Sequence, residues 1–195
     1  MARRAEKNSA IVGAADHWGW AVLVTVDRAG GLVDRRRVEL VEDGLSKYPH
    51  HHDAQKLPVR EAIELVARVT RSVEACAEAR LEALAASVAM PITAIALRVC
   101  PPLPATVPER LANYTAQNVA DSVMYREALA KAAGARGWSV HWFEARDVTA
   151  RAASALGRRS IDALLEKTGT KLGRPWTKDH RMAMAAAIAA GAAEG

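Results

Sequence analysis

Asp16 and Asp179 are the acids of this chain best placed to do chemistry. Asp16 closes the apolar run Ile11-Val12-Gly13-Ala14-Ala15, and His17-Trp18-Gly19 separates it from a second apolar run. Asp179 opens the Ala-rich segment Lys178 to Ile188, with His180 beside it. Carboxylate oxygens at the ends of regular elements suit a hard divalent cation such as Mg²⁺. An acid between two strands is also an ordinary turn residue, and for Asp16 that reading stays open. His50-His51-His52 invites a transition metal, but adjacent histidines in an extended loop cannot all face one ion. A polar loop is the default there, with Tyr48 and Pro49 able to make it a recognition loop.

The elements that must position these residues follow from periodicity and breakers. Ala10 to Asp16 and Trp20 to Asp27 read as strands, and Ala29-Gly30-Gly31 turns the chain into a third, Leu32 to Val41. Pro58 sits at a helix start, and Val59 to Ala86 repeats apolar residues at helical spacing through Val66, Val69, Val73 and Leu84. Ile92 to Val99 carries no charge before Arg98, which predicts a strand covered on both faces. Thr106-Val107-Pro108-Glu109 is a capping-box pattern. Asp121 to Ala133 is helical, Trp138 to Phe143 alternates as a strand, and Asp147 can cap a helix to Leu156. Ser160 to Lys167 is a short helix, Gly169 to Pro175 a loop, and Thr177 caps the last helix to about Ala190. The order is β-β-β-α-β-α-β-α, an antiparallel meander followed by right-handed crossovers.

The two poles around Asp16 and Asp179 resemble those of the ribonuclease H-like superfamily, in its Holliday-junction resolvase (RuvC-type) branch. Ala120-Asp121-Ser122 and Phe143-Glu144-Ala145-Arg146-Asp147-Val148 resemble resolvase segments at similar separations. The resemblance implies a mixed five-stranded α/β sheet with helices on both faces. It also implies metal binding by Asp16 and Asp179, with Mg²⁺ or Mn²⁺ as cofactor and nucleic acid as partner. Two ions about 4 Å apart would stabilise the entering and leaving oxygens of a phosphodiester.

The acidic site is divergent and incomplete. Where the family places an acid at the end of its fourth strand this chain has Arg98, and Met182 stands for the second acid of the last helix. A cation opposes metal binding, and a thioether is a poor ligand for Mg²⁺. Glu64 or Glu61 from the first long helix, Glu109, or His180 as ligand or base could compensate. Their ordinary reading is a solvated or paired acid, as Glu64 with Arg68. Arg98 is also expected to turn into the cleft and pair with Asp16 or Asp179, since a charge ending an apolar strand needs a partner. Two functions follow: a metal-dependent nuclease acting on structured nucleic acid, or a catalytically degenerate module that binds nucleic acid or protein, in which Arg98 contacts phosphate directly.

Composition sets the outer bounds. At 195 residues the chain suits one domain, residues 10–195, behind a basic tail, residues 1–9. The net charge of +5 permits a polyanionic partner without demanding one, because 22 acids are interspersed with 27 bases. Arg35-Arg36-Arg37, Arg158, Arg159, Lys171, Arg174 and Lys178 are candidate phosphate contacts, the last two flanking the final helix. The five tryptophans read as packing more than as stacking platforms. Cys76 and Cys100 read as buried thiols outside any disulfide framework. With no apolar run of membrane length, a cytoplasmic protein is expected, and a homodimer is a permitted assembly.

Overall fold

The computed structural model describes residues 8–194. Five strands form one mixed sheet in the order β3-β2-β1-β4-β5. They are β1 (Ala10–His17), β2 (Trp20–Asp27), β3 (Leu32–Glu39), β4 (Ile92–Arg98) and β5 (Ser139–Phe143). The first three are antiparallel neighbours, whereas β4 runs parallel to β1 and β5 parallel to β4. The helices are α1 (Val59–Ser87), α2 (Val107–Ala112), α3 (Tyr114–Ala135), α4 (Val148–Ala155), α5 (Asp162–Leu172) and α6 (Lys178–Gly191). The expected mixed sheet with helices on both faces is therefore present.

Strand alternation divides the core in two. On β1, Ala10, Val12 and Ala14 face α1 and α3, where they meet Val69, Val73, Leu81, Tyr125 and Leu129. Ile11 and Ala15 point the other way, onto Val148, Leu165 and the alanines of α6. On β4 the parity is opposite: Ile95 and Leu97 face α1 and α3, while Ala94 and Ala96 face α6. Each fully buried Leu, Ile or Val contributes roughly 1.5–3 kcal/mol, so the two faces lock these orientations in place. The last residue of each strand inherits them.

The Ala-rich composition of α6 has a direct cause in β1. A methyl group at Gly13 would overlap the backbone carbonyl of Ala183, so strand and helix touch main chain to main chain. That close approach brings the start of α6 to the end of β1. At the β1–β2 turn, His17 pairs with Trp20 around Trp18-Gly19, and Gly19 takes a φ of 85°. A left-handed second loop residue is a position glycine fills without strain.

Several boundaries differ from those expected. β3 ends at Glu39, and α3 begins at Tyr114 because Asn113 caps it by accepting from the amide of Ala116. Gly169 is helical, with the indole of Trp176 packed where a side chain would stand, so α5 reaches Leu172. Pro49–Asp53 forms a wide, π-type helical turn in place of an extended loop. Cys76 and Cys100 are free and half-buried, short of the buried thiols expected. Of the basic tail, residues 1–7 lie outside the described residues, and Ser9 is fully buried with its hydroxyl accepting from Arg28. No helix among the described residues is long and apolar enough to cross a membrane.

Candidate functional site

A cleft of about 190 Å³ opens at the carboxyl ends of β1 and β4. Asp16, His17, Trp18, Arg98, Ser122, Arg126, Asp179 and Met182 line it, together with Phe143. The two acids singled out in the sequence thus share one cleft. Their partners, however, are side chains of the protein itself: an arginine for Asp16 and a histidine for Asp179.

Asp16 continues the even-numbered face of β1 and so points toward α3. There the Nε of Arg126 donates to both of its carboxylate oxygens at 2.9 Å. The side chains of Arg126 and Asp16 are only 9% and 5% exposed. Arg126 also donates through Nη1 to the carbonyl of Val99 at 3.1 Å, which fixes the guanidinium. His17 belongs to the odd-numbered face, toward α6, and its Nε2 lies 3.2 Å from an oxygen of Asp179. The imidazole stacks on Trp20 with centroids 4.1 Å apart, and Arg37 lies over that indole at 3.9 Å.

Arg98 does not pair with Asp16 or Asp179, which corrects the expectation. It continues the face of Ala94 and Ala96, opposite in parity to Asp16, and so meets α6. Its Nη2 donates to the Met182 sulfur at 3.2 Å, and its Nε is buried without a hydrogen-bond partner. A thioether is a weak acceptor. Arg98 is therefore a half-buried cation in the cleft with no carboxylate paired to it among the described residues.

The other candidates fall elsewhere. Glu64 is exposed on α1, where Arg60 rather than Arg68 pairs with it, and with Glu61 it borders a separate depression. Neither supplies a carboxylate to the cleft. Glu109 is consumed by its capping box, where hydrogen bonds from Thr106 hold its carboxyl below the usual carboxylate range. His180 caps α6: its Nδ1 accepts from the amide of Thr177 and sits 2.9 Å from that residue's hydroxyl. Its imidazole is held below the ordinary histidine value, first by burial and then by Arg35. It lines a neighbouring pocket with Trp20, Arg35, Arg36 and Arg37. Arg174 and Lys178 are exposed beside that pocket, in the approach to α6.

The basic triplet of β3 is largely committed. Arg35 donates to the carbonyls of Gly173 and Pro175, tying β3 to the chain entering α6. Arg36 pairs with Asp34, and Arg37 with Glu39. The histidine triplet is committed too. Buried Asp121 accepts from the amides of His50 and His51 and lies 2.8 Å from His50 Nδ1, which anchors the turn onto α3. His50 is thereby wholly buried and held by Asp121, and the triplet belongs to no group of three metal-ligating side chains among the described residues.

The donor set does not fit a divalent metal. Both oxygens of Asp16 are taken by a guanidinium, Arg98 adds a second cation, and Met182 offers sulfur to a hard ion. Among the described residues no group of three His, Cys, Asp or Glu side chains converges. Of the residues lining this cleft, Arg126, Ser122, His17 and Trp18 were not anticipated as site residues. Arg126 lies within an Ala-rich helix, where it reads as a solvated surface base. Ser122 was noted only as part of a segment; its placement on the cleft wall follows from the exposed side of that same helix.

The fold is ribonuclease H-like. It is similar to the solved structure of T. thermophilus RuvC in complex with a Holliday junction substrate, at a TM-score of 0.52 and 14% sequence identity, over 95% of each chain. No family model matches the chain, and no curated protein matches it.

Proposed function

We propose that this ribonuclease H-like domain is a metal-independent nucleic-acid-binding module whose cleft takes phosphate on Arg98. The observation that carries the reading is the Arg126 guanidinium on both oxygens of Asp16, where a nuclease of the expected type needs free carboxylate. With that pair neutral overall and Asp179 facing His17, Arg98 is the cleft cation that has no carboxylate hydrogen-bonded to it among the described residues. Guanidinium groups bind phosphate oxygens through charge-assisted hydrogen bonds without a bridging ion. Arg174 and Lys178, exposed nearby, add electrostatic contacts that carry no sequence preference.

The test is binding of labelled branched, duplex and single-stranded oligonucleotides in EDTA and in Mg²⁺ or Mn²⁺. Binding that is salt-sensitive, equal with and without metal, and unaccompanied by cleavage is expected. Cleavage that needs metal and disappears in Asp16→Asn would overturn the reading and restore the nuclease alternative.

A further inference from the structure

We infer that the nucleic acid bound by this cleft is engaged at an unpaired nucleotide, with its base on the indole of Trp18 and its phosphate on Arg98. The inference rests on the phosphate-binding reading above and adds the strand state of the ligand.

Trp18 is 42% exposed at the tip of the β1–β2 turn. Its surface is therefore not spent on the core. It lines the same cleft as Arg98 and Ser122, whose guanidinium and hydroxyl suit a phosphate and the sugar beside it.

The indole is also held in place. Tyr48 meets it edge-on with centroids 5.1 Å apart, and His51 lies nearly parallel, with an interplanar angle of 9° and an offset centroid distance of 6.4 Å. His52 in turn packs against both Tyr48 and His51. Asp121 fixes this aromatic group by accepting from the His50 and His51 amides. A ring that is already ordered loses little freedom when a base stacks on it. Every base has a π-face, so the platform is tolerant of sequence, but only a base out of the duplex stack can reach it.

The test compares labelled oligothymidylate with a blunt duplex, both in EDTA, using wild type, Trp18→Ala, Trp18→Phe and Arg98→Gln. Trp18→Ala should weaken oligothymidylate binding by ~10-fold, the scale of one base–aromatic stack. Trp18→Phe should stay near wild type, and duplex binding should be unchanged in both. Because Trp18 lies at an exposed turn, unchanged melting temperatures are expected to accompany these results. Undiminished single-strand binding in Trp18→Ala, with loss only in Arg98→Gln, would overturn the platform and leave the phosphate reading standing. Equal losses on duplex and single strand in Trp18→Ala would also overturn it. Wild-type protein that binds none of these probes would remove the phosphate reading itself.

Discussion

Arg126 and Asp16 are 110 residues apart in sequence, yet a single guanidinium nitrogen sits 2.9 Å from both carboxylate oxygens. Both side chains are nearly sealed from solvent. Removing one partner of such a pair strands a buried charge, which costs about 3–5 kcal/mol. Arg126→Met and Asp16→Ala should each lose stability on that scale in urea denaturation. The double variant Asp16→Leu with Arg126→Met should recover much of the loss. An Asp16→Asn protein as stable as wild type would show that the carboxylate is not the arginine's counter-ion.

Divalent metal should leave the protein's stability unchanged. A ligand at a hundred times its dissociation constant raises the stability of a folded protein by about 2.7 kcal/mol. Denaturation midpoints in EDTA and in saturating Mg²⁺ or Mn²⁺ are therefore expected to coincide. A rise with metal that vanishes in Asp179→Ala would reveal a site built without Asp16.

The His180 cap predicts a pH dependence of defined sign. Burial, followed by Arg35, lowers its pKa, so the folded protein prefers the neutral ring that accepts from Thr177. The unfolded histidine takes up its proton near pH 6.5. Stability contributed here is full above that value and is lost as pH falls from there through the lower folded pKa. Glutamine is a natural residue at this capping position and does not titrate. His180→Gln should flatten that part of the profile when midpoints are measured from pH 8 to 5.

Salt dependence separates the surface bases from the cleft. On single strands each lost phosphate contact reduces the slope of log K against log salt by roughly 0.7. Ala at both Arg174 and Lys178 should flatten the slope by about 1.4 in anisotropy titrations, and should weaken all sequences alike. An unchanged slope would remove both residues from the interface.

Gly13 offers a purely structural check. Overpacking a tight core costs typically 1–3 kcal/mol, and at Gly13 the obstacle is backbone rather than a yielding side chain. Gly13→Ala should lose at least that much in denaturation and shift the α6 resonances. A silent substitution would mean that α6 does not rest on β1.

The meander, the crossovers and both acidic poles were legible because alternation, helical spacing and breakers are local signals. The capping box at Thr106 and Glu109 was legible for the same reason. The pairing of charges was not. Whether Arg98 or Arg126 reaches Asp16 depends on which helix covers which face, and on the opposite parity of β1 and β4. Neither is written in any short segment. His50 likewise read as polar, because its partner Asp121 lies 71 residues away on α3.

A metalloenzyme waits for its ion, so its population divides into loaded and empty forms according to supply. Arg126 removes that division. The counter-ion of Asp16 is synthesised with the chain and arrives when α3 docks, so folding itself completes the charge balance of that carboxylate. On the proposed reading, chelation is expected not to silence the cleft and metal abundance not to tune it. Its occupancy is governed by the concentrations of protein and ligand and by the salt around them.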